Sequence, residues 1–150
     1  MKKDNKGFSL VELIVVVLIM GILAVALTPQ VLKWVNHSRI ANDLSLMDTV
    51  IANTQTALTN GKAYGDVDNN ITITIKDSGE VSMNPDKATL KLKIAEYSGY
   101  TSWDDFAGAT NTKAKGGQIV VTIHENGKRV TGEYKGASNH SDYQSETSVD

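Results

Sequence analysis

A long apolar stretch near the start sets the limits on what this chain can become. From Phe8 to Leu27 the only interruptions to non-polar side chains are Ser9, Glu12 and Gly21. As a helix, about 20 such residues span roughly 30 Å, the thickness of a bilayer's hydrocarbon core. Lys2, Lys3 and Lys6 precede the stretch, and basic residues flanking a span stay on the cytoplasmic side. The expected orientation is therefore N-terminus in, C-terminal domain out. Glu12 does not fit a plain anchor, because it places a carboxylate in the second turn of the span. A charge there costs roughly 2.5–3.5 kcal/mol at the helix centre and less near an end. An acid in that setting calls for a partner.

The block GFSLVELIVVVLIMGILAVALTPQ resembles the class III signal of type IV prepilins and pseudopilins. That signal has a short basic leader ending in Gly, then Phe, a Glu five residues after the Gly, and a long apolar helix interrupted by Pro. All are present in register over roughly the first 30 residues. The resemblance implies that a prepilin peptidase cuts between Gly7 and Phe8 and that the new Phe8 amine is N-methylated. It also implies that Glu12 attracts the Phe8 ammonium of a neighbouring subunit during assembly, and that the helix can bend or melt between Gly21 and Pro29.

The chemistry of that pairing follows from the residues. A free α-amine has a pKa near 7.7–8.0 and is mostly protonated at neutral pH. A carboxylate in a low-dielectric setting gains most from a cation that meets it there. Before cleavage the Phe8 nitrogen is an uncharged amide, so cleavage creates the cation that assembly needs. Two plainer readings compete. One is a secretory signal peptide cut after Ala24-Val25-Ala26, although such apolar regions usually run to about 7–15 residues. The other is a simple single-span anchor with an incidental glutamate.

The net charge of −2 hides a gradient. The leader is basic, whereas beyond residue 60 ten Lys and Arg face thirteen Asp and Glu, a net of −3. No basic patch points to nucleic acid as a main partner. Cysteine is absent, so no disulfide closes the outer domain, and here the chain departs from the many pilins that resemble one another in having one. His37, His124 and His140 are scattered, with no metal-ligand spacing. Nucleophile elbow, P-loop and dinucleotide-binding patterns are missing too. The chain reads as a substrate of an enzyme rather than as an enzyme, with no cofactor expected.

In order, residues 1–7 form the leader, 8–30 the membrane and assembly helix, and 31–59 its amphipathic outer half. Residues 60–135 form a β-rich head and 136–150 a polar, mobile tail. Pro29 cannot donate to the Val25 carbonyl, so the helix should bend or loosen there. Val31, Val35, Ile40, Leu44, Met47, Ile51, Thr54 and Leu58 recur near one face. Trp34, Ala41, Val50 and Ala57 widen it, while Asp43 and Asp48 fall among the solvated positions. Asn60-Gly61 supplies a stop. Asp66 and Asp68 are weak calcium candidates, because Ile71 stands where a calcium loop needs Gly and Asp77 where it needs Glu.

Ile71 to Ile75 alternates with period two, and Val81 to Met83 forms a short return strand. Asn84-Pro85 can cap and open a helix. Residues 86–97 fit either element: Leu90, Ile94 and Tyr97 suit a helix face, which is preferred, while Leu90, Leu92 and Ile94 alternate as in a strand. Ser102 to Phe106 reads as a capped helical turn or ordered loop, with Trp103 and Phe106 as core plugs. Gln118 to Tyr134 is a hairpin turning at Asn126-Gly127.

The expected fold is α+β: a long N-terminal helix whose outer half packs against a small antiparallel sheet, which also resembles the pilin fold. The expected function is a structural subunit of a type IV pilus or related filament. Its partners are copies of itself, the prepilin peptidase and membrane assembly machinery. It starts as a single-pass precursor and ends at the cell surface. The alternatives are a pseudopilin of a type II secretion or DNA-uptake machine, and a minor pilin acting as a surface-binding module.

Overall fold

A computed structural model describes residues 9–59, 65, 67, 69–124, 127 and 129–136, together with the backbone of 146–149. Helix α1 runs from Leu10 to Leu58, 49 residues without a break. It passes through two compact units, Met1–His37 and Ser38–Asp150, which are taken in turn.

The first unit is the apolar part of α1. Its large side chains from Leu10 to Val35 are exposed among the described residues. The helix continues through both Gly21 and Pro29. Immediately before the proline, the Thr28 hydroxyl donates to the Ala24 carbonyl at 2.6 Å, a local bond of the kind that reshapes helices near such sites.

In the second unit α1 carries its buried stripe at Ile40, Asp43, Met47, Val50, Thr54 and Ala57, with Ile51 and Leu58 alongside. The steps alternate three and four, which keeps one narrow seam facing the same way. Two expectations are corrected here. Val31, Trp34, Val35 and Ala41 are exposed rather than part of the buried face; the buried stripe of the helix starts at Ile40. Asp43, expected among the solvated positions, has 0% of its surface exposed, because it falls on the seam.

The seam packs on a five-stranded antiparallel sheet of order β2-β1-β3-β4-β5. The strands are β1 (Ile71–Lys76), β2 (Val81–Asn84), β3 (Gln118–Ile123), β4 (Val130–Lys135) and β5 (Glu146–Val149). Period-two alternation puts Ile71, Ile73 and Ile75 on the buried face, as it does Ile119, Val121 and Ile123. Register then builds cross-strand rows of core residues: Ile71–Ile123–Val130, Met83–Ile73–Val121–Gly132 and Val81–Ile75–Ile119–Tyr134. Gly132 leaves a dip in the middle row. A Cβ there would lie 2.5 Å from Ile51 Cδ1 and 3.0 Å from Met47 Cγ, so its absence lets the helix approach the sheet closely.

Residues 136–150 were expected to be a tail, but Glu146–Val149 forms β5 on the free edge of β4. An open edge presents unpaired N–H and C=O groups, and a short strand of polar composition satisfies them through its backbone alone. The hairpin between β3 and β4 is as expected, with Gly127 at φ +65°; Asn126 lies outside the described residues, as do Asn60 and Gly61.

Two short helices connect β2 to β3. Helix α2 (Ala88–Tyr97) resolves the ambiguous segment: Leu90 and Ile94 are fully buried while Leu92 is 51% exposed, which is helical and not strand periodicity. It starts after Lys87, with no side-chain cap, so Asn84 does not cap it. It ends at Gly99, whose φ of +85° lets the Tyr100 N–H reach back to the Ala95 carbonyl at 2.9 Å, a left-handed stop that glycine adopts at little cost. Helix α3 (Trp103–Ala109) is capped by Ser102, whose side chain accepts from the Asp105 N–H. Phe106 is buried and Trp103 half-buried, and their rings meet with centroids 5.2 Å apart. Both plug the core as expected.

Candidate functional site

Gly7 and Phe8, the expected cleavage and methylation positions, lie outside the described residues. Glu12 Oε2 accepts a hydrogen bond from the Ser9 backbone N–H at 2.9 Å. In return Ser9 Oγ accepts from the Val11 N–H at a long 3.4 Å, and the Leu13 N–H reaches the Ser9 carbonyl at 3.2 Å. Ser9 is thus the N-cap and Glu12, the third helical residue, bonds back to it as in a capping box, the serine's own bond going one residue earlier, to Val11. The carboxylate also sits at the positive end of the helix dipole, which favours a negative charge. The sequence reading missed this second role, although Ser-x-x-Glu ahead of an apolar run is its signal.

Beyond Glu12 the surface is apolar, and two shallow hollows mark it. One is lined by Val17, Leu18, Gly21, Ile22 and Val25. The other lies around Pro29, with Ala26, Gln30, Lys33, Trp34 and His37. Gly21 opens the first, since no atom lies within 4 Å of where its Cβ would be.

In the outer unit the main polar feature is one that sequence reasoning did not find. Asp43 reaches from α1 to the loop between α3 and β3. Its carboxylate accepts from the Lys113 N–H at 2.5 Å and the Ala114 N–H at 2.9 Å. The Tyr134 hydroxyl donates to the same carboxylate at 3.2 Å. Burial raises the Tyr134 pKa, and the adjacent Asp43 charge and hydrogen bond raise it further. The loop is fastened at two more points: Thr112 Oγ1 donates to the Gly117 carbonyl at 2.6 Å, and the Gly116 N–H donates to Asp77 at 2.7 Å. This arrangement orders backbone; a carboxylate saturated by donors is poorly placed to act as a base on an outside molecule.

The expected site residues are therefore not brought together in one place. Glu12, Gly21 and Pro29 are spread along α1, and Asp66 and Asp68 lie outside the described residues. Among the described residues no three His, Cys, Asp or Glu side chains group as metal ligands.

Comparison with known proteins gives the segment a context. Residues 2–28 match the family described as "Prokaryotic N-terminal methylation motif", which bears out the resemblance over the region that carried it. The chain is also similar to the type IV major fimbrial protein FimA of Dichelobacter nodosus, at 35% identity over 66 residues. That match covers 44% of this chain and 42% of the relative, so the chain spans about two fifths of the relative's length. No solved structure matches significantly.

Proposed function

We propose that this chain is a structural subunit of a type IV pilus or a related extracellular filament. It would start as a single-pass precursor with its N-terminus in the cytoplasm. A prepilin peptidase would cut between Gly7 and Phe8, and the Phe8 amine would be methylated. The Phe8 ammonium of one subunit would then meet Glu12 of its neighbour as the helices bundle. One observation carries this reading: an unbroken apolar helix, exposed on all sides from Leu10 to Val35, begins directly at the methylation motif. Such a surface needs lipid before assembly and other helices afterwards.

The capping box shapes the test. Glu12→Gln keeps an oxygen that can accept from the Ser9 N–H but loses the charge; Glu12→Ala loses both. If the ion pair drives assembly, both variants lose sheared surface filaments seen by electron microscopy, and the mature wild-type protein begins at Phe8 by mass spectrometry. Wild-type filament yield from Glu12→Gln would sink the ionic role. A mature form starting at Leu27 would sink the filament reading altogether.

A further inference from the structure

We propose that the hollow around Pro29 is a phospholipid headgroup site that fixes where α1 leaves the outer leaflet of the membrane. The proposal rests on the reading that the apolar part of α1 spans a bilayer. From Leu10 to Leu32 the helix has 23 residues, about 34 Å at 1.5 Å per residue, slightly more than a hydrocarbon core of about 30 Å. The first cation after Glu12 is Lys33, and the first indole is Trp34. A span anchored with Glu12 near one surface therefore delivers this pair to the other.

The six residues lining the hollow form a single stripe. Ala26, Pro29, Gln30, Lys33, Trp34 and His37 follow helical steps of three and four, so their side chains share one face. The hollow is open, with a volume of about 380 Å³, and changes character along its length. Ala26 and Pro29 give an apolar floor on the membrane side. Gln30, Lys33 and His37 give donors on the outer side. Trp34 is 63% exposed, which leaves its indole open to an amphipathic neighbour. Tryptophan prefers the headgroup level, where its ring meets acyl carbons and its N–H meets polar oxygens. Lysine near a span's end extends its ammonium toward phosphate. Apolar floor, amphipathic wall and cation occur in the order in which a phospholipid presents acyl chain, glycerol ester and phosphate. The proposed occupant is therefore an anionic phospholipid of the outer leaflet, its phosphodiester placed at the Lys33 ammonium.

The test uses the uncleaved full chain in vesicles of phosphatidylcholine containing brominated phosphatidylglycerol. Trp103→Phe leaves Trp34 as the single tryptophan. A second variant, combining Trp34→Phe, Trp103→Phe and Leu18→Trp, reports on the span itself. The expected result is that Trp34 is quenched most strongly by lipid brominated near the ester end of the acyl chain. The indole introduced by Leu18→Trp is instead quenched most by lipid brominated near its tail. Brominated phosphatidylglycerol should quench Trp34 more than brominated phosphatidylcholine at equal mole fraction. Lys33→Gln should lower that preference about fivefold, since a basic residue at an anionic surface is worth about that factor. If the Leu18→Trp variant is quenched from the bilayer interior while Trp34 is not quenched at any depth, the headgroup site is refuted and the spanning reading survives. If neither is quenched, the spanning reading itself has failed. Quenching of Trp34 that falls as the protein-to-lipid ratio rises, with no preference between lipids, would mean that a second copy of the chain covers the hollow, and would also overturn the proposal.

Discussion

Removing the Asp43 carboxylate should unlatch the outer unit. A buried Ala114 N–H, a part-buried Lys113 N–H and the Tyr134 phenol converge on this side chain. A hydrogen bond to a charged group is worth about 1.5–3 kcal/mol, and a buried donor left without a partner costs about 1–3 kcal/mol. Asp43→Leu strands the Lys113 and Ala114 amides together, so a loss of about 3–5 kcal/mol is expected. Asp43→Asn keeps one acceptor oxygen but turns an NH₂ toward the remaining donors, for a loss of about 2–3 kcal/mol. Tyr134→Phe removes only a long hydrogen bond and should cost about 1 kcal/mol. Because Asp43 and Tyr134 touch, their double variant should fall short of the sum of the singles. The measurement is urea unfolding of the full chain in detergent, followed by Trp103 emission in a Trp34→Phe background. A small domain has about 5–15 kcal/mol in hand, so Asp43→Leu should move the midpoint well beyond error. A change of less than about 0.5 kcal/mol, typical of surface substitutions, would refute the idea that this carboxylate holds the loop.

Further outcomes follow from neighbouring geometry. Thr54 Oγ1 is buried with no hydrogen-bond partner among the described residues, so Thr54→Val should raise stability by about 1 kcal/mol in the same unfolding assay. A Cβ on Gly117 would lie 2.6 Å from the Tyr134 hydroxyl and 3.0 Å from the Ala114 carbonyl; Gly117→Ala should therefore destabilise by about 1–3 kcal/mol, and less in a Tyr134→Phe background. The raised Tyr134 pKa has a definite sign. Below about pH 10 the phenol is neutral in both states; above it the unfolded chain loses a proton that the folded chain keeps, so stability falls with a slope approaching about 1.4 kcal/mol per pH unit. Unfolding midpoints measured across alkaline pH should fall less steeply for Tyr134→Phe.

Legibility in the sequence tracks how local the cause is. Ile71 to Ile75 and Ile119 to Ile123 declare their strands by alternation, and the register that aligns Ile73 with Val121 follows once each strand has one buried face. Segment 86–97 is ambiguous in sequence because Leu90, Leu92 and Ile94 satisfy both periods; only the exposure of Leu92, a tertiary fact, decides. Asp43 misleads for a similar reason. Charged residues are usually solvated, and the partners that reverse this rule lie 70, 71 and 91 positions away. The three-four rhythm of Ile40, Asp43, Met47, Val50, Thr54 and Ala57 is present in the sequence, and it marks both polar members as inward-facing. Strand β5 has no apolar pattern of its own and exists because β4 offers an edge.

The capping box bears on how an acid can reside in an apolar helix at all. A carboxylate in hydrocarbon without a partner is costly, yet Glu12 must remain able to exchange its partner if subunits are to join through it. Held by the Ser9 N–H at 2.9 Å, it has a donor within its own helix end and the field of the helix dipole, together worth about 1–2 kcal/mol. An ammonium meeting the same carboxylate away from water is worth more, since coupling energies of close charge pairs run to about 1.5–7 kcal/mol. On the proposed reading, the weaker internal bond would lower the cost of waiting in the membrane without outcompeting an ion pair to a neighbouring subunit. Serine at position 9 contributes to the same balance. Its hydroxyl accepts from the Val11 N–H and its own N–H donates to Glu12, so one residue joins the first turn to the carboxylate.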